Sequence, residues 1–418
     1  MSVLLVSQAD MDGGAARAAY RLHRALLDHG VQSRMKVRSK RSDDWTVEGP
    51  LGKPGKIISL LRPALGGLAM RLQKTTNVNR HTGNWLPSGW AGEFNALDTE
   101  VVNLHWVGNE TLSIEDIGRI RKPVVWTLHD MWPFCGAEHY TTDEASVRWR
   151  IGYNKTNRPV SDVGLDLDRM VWQRKRRHWR RPAHIVAPSH WLADCARESV
   201  LFSDWPVSVI PNVLDTGIYQ PLDRDFCRLT LGLPAGRQII LFGAMEGARD
   251  PRKGYDLLLD ALARLVPLVD AKNVLCVVFG QSAPQNPPAL PFPTRWVGHV
   301  HDDATLALLY NAADVMVVSS RQENLPQTAT EPQACGCPVV AFDCTGFRDV
   351  VEHGKTGYLA RAFDTEDMAE GLRWILEDAD LRDTLGRAAR TRALRLWAPE
   401  VVVPQYLQVY KVAIESQG

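Results

Sequence analysis

Short runs of β-branched residues alternate with helical spacing along almost the whole chain, and this alternation constrains the fold more than any other feature. Strands separated by helices pair in parallel, and the helices then cover both faces of the sheet. In the first half the strand runs are Val3–Ser7, Val31–Val37, Val101–His105, Val124–Leu128, His184–Ala187 and Val207–Ile210, with helical spacing between them at Ala15–His29 and Trp191–Glu198. The second half repeats the pattern with Ile239–Phe242, Val274–Phe279, Trp296–Gly298, Val315–Val318, Val339–Phe342 and Tyr358–Ala360. Between Pro211 and Pro221 the alternation lapses into turn and extended chemistry. The reading is two doubly wound α/β units, residues 1–210 and 222–397, joined by a linker at 211–221. From Asp364 onward the chain reads as helix, with Met368–Leu376, Leu381–Leu396 and Val401–Ile414 as its pieces. Residues 398–418 are expected as a terminal helix that packs back on the first unit.

A length of 418 residues supports two such domains with a sizeable core. The 49 Lys+Arg and 48 Asp+Glu nearly cancel, so an anionic partner has to be held by a local patch and not by the field of the whole molecule. Seven cysteines form an odd set with no CxxC pair, which suits a reducing cytoplasm. The opening MSVLLVSQADMDGG reads as a first strand and not as a secretion signal, because no basic leader precedes an apolar run that breaks at Ser7-Gln8. No apolar stretch reaches the roughly 20 residues that span a bilayer. Lys56–Lys74 mixes apolar residues with Lys56, Arg62, Arg71 and Lys74. It reads either as a segment lying on a membrane surface or as a packed surface helix interrupted at Pro63.

Open α/β sheets bind ligands at the carboxyl ends of their strands, so two such units facing each other make a cleft in which chemistry is expected. Four segments carry candidate residues. Gly13 and Gly14 sit between a strand and a helix, where paired glycines permit close backbone approach and the helix start offers N–H groups to an anion. Many such turns use glycine for geometry alone. In Ser319–Leu359 a strand runs into a loop with Glu323, then Asn324, Leu325 and Pro326, then a helix from Gln327 that carries Glu331. Asn324 and Pro326 read as its cap and first-turn residues. A loop carboxylate can accept from sugar hydroxyls, a helix carboxylate from a ribose diol, and the helix start can face diphosphate. Without such a ligand both glutamates are ordinary surface carboxylates. Thr127-Leu128-His129-Asp130 places His129 and Asp130 after a buried strand, and His105 ends the strand before it. Finally, Arg169–Arg181 interleaves seven cations with Trp172 and Trp179. That pattern fits an anionic bilayer or a lipid-linked pyrophosphate; equally it fits a helix with its tryptophans inward and its cations paired with Asp162, Asp166 and Asp168. No nucleic-acid motif accompanies it. Cys335-Gly336-Cys337 reads as packing, because two thiols cannot complete a zinc site.

Glu323 and Glu331 at their eight-residue offset, followed by Ala334-Cys335-Gly336-Cys337-Pro338-Val339-Val340-Ala341, Thr345-Gly346 and Glu352-His353-Gly354-Lys355-Thr356-Gly357-Tyr358-Leu359, resemble the donor-site region of family-4 retaining glycosyltransferases of the bacterial surface-polysaccharide type. Phe242-Gly243-Ala244 and Arg249-Asp250-Pro251-Arg252-Lys253-Gly254 resemble the same enzymes. The resemblance implies the GT-B fold and a nucleotide diphosphate sugar as donor, with Glu323 on the sugar, Asn324 to Gln327 presenting N–H groups, and Glu331 on the ribose. It gives the diphosphate to Lys253 with Arg249 or Arg252 beside Gly243, and a sugar hydroxyl to His129. It implies no resident cofactor and no metal; only Cys135 stands where some relatives carry several cysteines. Its acceptor would be a saccharide, in particular a lipid-linked one in lipopolysaccharide or exopolysaccharide synthesis, with Lys56–Lys74 and Arg169–Arg181 on the inner face of the cell membrane. Two other classes stay open: a nucleotide-sugar epimerase of GT-B-like fold, and a non-catalytic membrane- or polymer-binding scaffold.

Overall fold

The computed structural model describes residues 1–243, 250–283, 290–300 and 302–417. The chain divides into two compact units, Met1–Val213 with Val402–Gly418, and Leu214–Val401.

In the first unit the strands are β1 (Ser2–Ala9), β2 (Gln32–Ser39), β3 (Val47–Glu48), β4 (Gln73–Lys74), β5 (Val101–Leu104), β6 (Val124–Thr127), β7 (Val163–Gly164), β8 (His184–Ala187) and β9 (Val207–Val209). Seven of them form one sheet in the order β3-β2-β1-β5-β6-β8-β9, parallel at every pairing, while β4 and β7 make a small antiparallel pair. A parallel sheet is covered on both faces, which is why the central strands are apolar on both sides. Val3, Leu5, Val101, Val125 and Val186 face one layer, and Leu4, Val6, Val102, Leu104, Trp126 and Ile185 face the other. The first layer includes the terminal helix Pro399–Glu415, which buries Val402, Val403, Tyr406, Val409 and Tyr410 there. Asn103 Nδ2 donates to the Tyr410 hydroxyl at 2.8 Å, and the Tyr406 and Thr127 hydroxyls lie 3.3 Å apart.

The second unit contains β10 (Gln238–Gly243), β11 (Val274–Phe279), β12 (Thr294–Gly298), β13 (Val315–Val318), β14 (Val339–Phe342) and β15 (Gly357–Ala360), in the order β12-β11-β10-β13-β14-β15, again all parallel. In both sheets chain order reverses next to the first strand, between β1 and β5 and between β10 and β13. A crevice opens at such a reversal because the helices that follow the two strands leave on opposite faces.

One sequence expectation changes, and one pair of alternatives is decided. The helix Gly52–Met70 is continuous through Pro63 instead of being interrupted there. It is also inverted: Arg62 points inward, donating to the carbonyls of Glu110 at 2.8 Å, Pro87 at 2.9 Å and Leu86 at 2.6 Å, while Ile57, Ile58, Leu60, Leu61, Leu65 and Leu68 are exposed. In the helix Leu167–His178 and just beyond, Trp172 and Trp179 are core residues, so no tryptophan of the basic segment faces solvent. Lys175 is buried as well, its ammonium donating to the carbonyls of Trp132, Cys135 and Gly136. Arg176, Arg177, Arg180 and Arg181 remain exposed. All seven cysteines are buried free thiols, which agrees with packing as the role of Cys335 and Cys337. No helix of the described residues is long and apolar enough to cross a membrane.

Candidate functional site

The β10/β13 reversal gathers most of the candidates of the second unit. Strand β10 ends at Gly243; Arg249 lies outside the described residues. The chain resumes at Asp250, whose carboxylate caps a single 3₁₀ turn, Pro251–Lys253, by accepting from Arg252 N at 3.0 Å. Gly254 follows with φ of +63°, and a Cβ there would lie 2.0 Å from the Ser319 carbonyl oxygen. The turn is thereby pressed onto the loop that leaves β13, with Arg321 N donating to the Arg252 carbonyl at 2.7 Å.

This packing delivers two cations to Glu323. Lys253 Nζ lies 2.6 Å from Glu323 Oε1, and Arg252 Nη1 lies 3.6 Å from Oε2 while also donating to the Gln322 carbonyl at 3.1 Å. Burial alone would push the Glu323 carboxyl up, but Lys253 and Arg252 outweigh it and hold the group below its ordinary value. The loop is fixed from behind: Glu323 N donates to the Thr345 hydroxyl at 3.1 Å, and Gly346 N to the Glu323 carbonyl at 3.0 Å. A Cβ on Gly346 would fall 1.3 Å from the Asn324 carbonyl oxygen, so only glycine fits.

The helix Gln327–Ala334 begins where the loop ends. Pro326 itself is the N-cap, two residues beyond the Asn324 expected there, and its carbonyl accepts from Ala329 N at 3.0 Å and Thr330 N at 3.1 Å. The helix end carries the partial positive charge of its dipole. Glu331 lies one turn in and is buried, its Oε2 accepting from the Tyr310 hydroxyl at 2.8 Å. Tyr310 lies in no motif and was not legible as a site residue; Thr345 lies in the Thr345-Gly346 motif, but its bond to Glu323 N was not legible, because each of the two acts through a partner distant in sequence.

The β1/β5 reversal of the first unit is built differently. Gly13, with φ of +87°, is the N-cap of the helix Gly14–Asp28, and a Cβ there would meet nothing. Conformation, not crowding, requires glycine at that position. Just before it, buried Asp10 accepts from Arg41 N at 2.9 Å, Ser42 N at 2.9 Å and the Ser42 hydroxyl at 2.7 Å, which ties the glycine turn to the loop after β2. His105 leaves β5, and His129 leaves β6. Their rings stack with centroids 5.2 Å apart, and His105 Nδ1 lies 3.0 Å from His129 Nε2. Burial drives both imidazoles down, His129 to about 4. At neutral pH the pair is uncharged, with one ring donating to the other.

Asp130 does not pair with His129. It accepts from Trp106 Nε1 at 2.6 Å, from Trp132 N at 3.0 Å, and it lies 2.6 Å from His139 Nδ1. Burial would raise its carboxyl; His139 and these donors outweigh that and keep it below its ordinary value. Asp130 thus anchors the segment after β6, and His105 is the partner His129 uses.

Residues 231–392 match the family model described as "Glycosyl transferases group 1", a stretch that lies inside the second unit and carries Lys253, Glu323 and Glu331. The chain is 33% identical over 228 residues, 50% of this chain and 48% of the other, to D-inositol 3-phosphate glycosyltransferase of Nocardioides sp.. With the same-named protein of Kribbella flavida it is 32% identical over 228 residues, 51% of this chain and 52% of the other. The chain spans about half the length of the curated relatives it matches. Sucrose-phosphate synthase of Thermosynechococcus elongatus superposes over 100% of both chains with a TM-score of 0.69 and 18% identity. Anabaena HepE in complex with UDP-glucose covers 99% of this chain and 100% of its own, with a TM-score of 0.66 and 17% identity. These likenesses show the fold, GT-B, with two parallel-sheet α/β domains and a helical C-terminus.

Proposed function

We propose that this protein transfers a sugar from a nucleotide diphosphate sugar to a hydroxyl acceptor, with retention of anomeric configuration. The observation that carries this reading is the ion cluster at the β10/β13 reversal, where Lys253 and Arg252 converge on Glu323 one helix start away from buried Glu331. The family match to residues 231–392 and the complex of Anabaena HepE with UDP-glucose support it.

In this reading Glu331 holds the ribose diol, displacing or sharing the Tyr310 hydroxyl. Lys253 and Arg252 turn from Glu323 to the diphosphate, and in the stretch Asn324 to Gln327 the N–H groups of Asn324, Leu325 and Gln327 meet sugar and phosphate, Pro326 having none. Glu323, relieved of its cations, accepts from sugar hydroxyls. The bond from the anomeric carbon to the diphosphate breaks, the acceptor oxygen bonds that carbon from the same face, and the acceptor proton passes to the departing phosphate. Negative charge grows on the leaving group, so cations aimed there stabilise the transition state more than the ground state. Arg249 remains a second candidate for that contact. Neutral His129 is assigned a hydrogen bond to a sugar hydroxyl, and Gly13 and Gly14 a backbone approach to the ligand. The diphosphate then needs no metal, and no resident cofactor takes part.

For the acceptor we propose a saccharide or lipid-linked saccharide of surface-polysaccharide synthesis, met at the inner face of the cell membrane. The exposed leucines and isoleucines of Gly52–Met70 and the exposed Arg176, Arg177, Arg180 and Arg181 support contact with an anionic bilayer. A panel of nucleotide sugars tested by thermal shift and then by product analysis examines the whole reading. A rise in melting temperature with one sugar nucleotide, and an acceptor-dependent product with the donor's anomeric configuration, is expected. Turnover without acceptor would instead mark an epimerase, and no shift at millimolar ligand would leave the scaffold reading.

A further inference from the structure

Three segments of the first unit meet around His81, Glu138 and Asp168. One ligand-capable atom from each lies within 4.8 Å of the other two. His81 and Glu138 face each other across an isolated antiparallel bridge, with Thr82 N donating to the Ala137 carbonyl at 2.8 Å and His139 N to the Arg80 carbonyl at 2.9 Å. Asp168 enters from the first turn of the helix Leu167–His178.

The hydrogen bonds leave acceptor atoms without donors. His81 Nδ1 lies 2.7 Å from the Asn79 carbonyl oxygen, which can only accept, so Nδ1 carries a proton. In the neutral ring the lone pair is then on Nε2, which is buried without a hydrogen-bond partner 3.8 Å from Asp168 Oδ1. Glu138 is only 6% exposed, and its Oε2 is likewise buried without a partner. Among the described residues no lysine or arginine forms an ion pair with either carboxylate, and the nearby Lys175 ammonium is engaged by three carbonyls.

The outward atoms of the same three side chains are each held in place. Tyr153 donates its hydroxyl to Glu138 Oε1, Gln73 Nε2 donates to Asp168 Oδ2, and Asn79 orients the imidazole. Outer partners of this kind orient metal ligands in proteins. Gly136 leaves the room that Glu138 turns into, since a Cβ there would lie 2.6 Å from Glu138 Oε2.

We propose that His81, Glu138 and Asp168 bind one divalent ion of the zinc class, which ties together the loops that carry them. One imidazole with two carboxylates favours a transition ion of this kind over magnesium or calcium, which prefer all-oxygen sites. Ligands at about 2.1 Å from a tetrahedral ion stand about 3.4 Å apart. The 3.8 Å between His81 and Asp168 is within a few tenths of that distance. The ion uses none of the residues assigned to transfer, and Cys135 supplies no ligand. Its role is structural: β4 and β7 are two-residue strands, and residues 136–168 hold few others.

The test measures metal in the full chain, purified without chelator, by mass spectrometry, and its melting temperature before and after dialysis against EDTA. About one equivalent of zinc per chain is expected, or its uptake from one added equivalent of zinc sulfate. Chelation should lower the melting temperature by several degrees, and zinc should restore it. His81→Ala and Glu138→Gln should each lose the metal and the response to EDTA. If the wild-type protein neither contains nor takes up zinc, manganese, cobalt or iron, the proposal is overturned. Metal retained by both variants would also overturn it, as adventitious surface binding.

Discussion

The two sheets share one topology, yet the crevices at their strand-order reversals are prepared for opposite electrostatic tasks. In the second unit Lys253 and Arg252 form ion pairs with Glu323, Arg252 also pairing with Asp250 at 2.9 Å. In the first unit the corresponding place holds a stacked pair of neutral histidines and a bare glycine turn. Full charges suit a ligand whose own charge grows during reaction, whereas neutral donors and acceptors suit hydroxyl groups that must be oriented and then released. Topology provides the crevice, and the residues at the strand ends decide its chemistry.

The sharpest way to break this contrast is to remove the charge from the charged side. Lys253→Ala should lower kcat for glycosyl transfer by about 10²–10³-fold, with unfolding unchanged by circular dichroism. A kcat within a few-fold of wild type would mean that the cluster only braces the loop. Next in size is Glu331→Ala. It should weaken binding of the nucleoside diphosphate by about 10–100-fold in calorimetry, the loss expected when hydrogen bonds to a charged group are removed. Tyr310→Phe, which removes one donor from the carboxylate and leaves the carboxylate in place, should weaken binding much less. If the two variants lose affinity equally, Glu331 serves packing and not the ribose.

On the neutral side the effects are smaller. His129→Ala should cost about tenfold in kcat/KM, the worth of one or two uncharged hydrogen bonds, and His105→Ala should cost less because it acts only through His129. The contrast can also be sharpened by acid. His23 and His129 both sit near 4 because burial disfavours their charged forms, against an ordinary value of 6.5. The unfolded chain therefore takes up these protons first. Their contribution to the stability of the first unit is lost as pH falls from 6.5 to about 4, and it does not change above that window. Glu323 has the opposite assignment: a carboxyl held low contributes above its ordinary value and is lost only as pH falls below 4.5. NMR titration of the histidine rings checks this directly, and a His129 ring that titrates near 6.5 would refute the neutral pair.

Much of this organisation was readable from residues alone. Every strand of the two large sheets except the two-residue β3 was placed by the alternation, most clearly β11, β13 and β14, because a strand buried on both faces has no polar positions to dilute the signal. Glu323, Glu331 and Lys253 were singled out by the resemblance of their motifs to a glycosyltransferase donor site, since spacing alone left both glutamates as ordinary surface carboxylates. Other features were not. Pro63 reads as a break, yet Arg62 beside it is anchored by three carbonyls from distant loops, and that anchorage holds the helix through the proline. The basic segment left its tryptophans either outward or inward; Trp172 and Trp179 turn inward, and Lys175 and Trp179 donate to carbonyls more than thirty residues away.

Sequence by itself determined the alternation of strand and helix, hence two parallel sheets, and it determined which acidic and basic residues stand at strand ends. Only the tertiary structure decided the partners: Lys253 with Glu323 across seventy residues, His105 with His129, Tyr310 with Glu331, and the convergence of His81, Glu138 and Asp168. The reason is physical. Backbone periodicity and turn chemistry act between neighbours along the chain. A pairing of side chains depends on which loops the packed core brings within hydrogen-bond reach, and no local pattern encodes that distance.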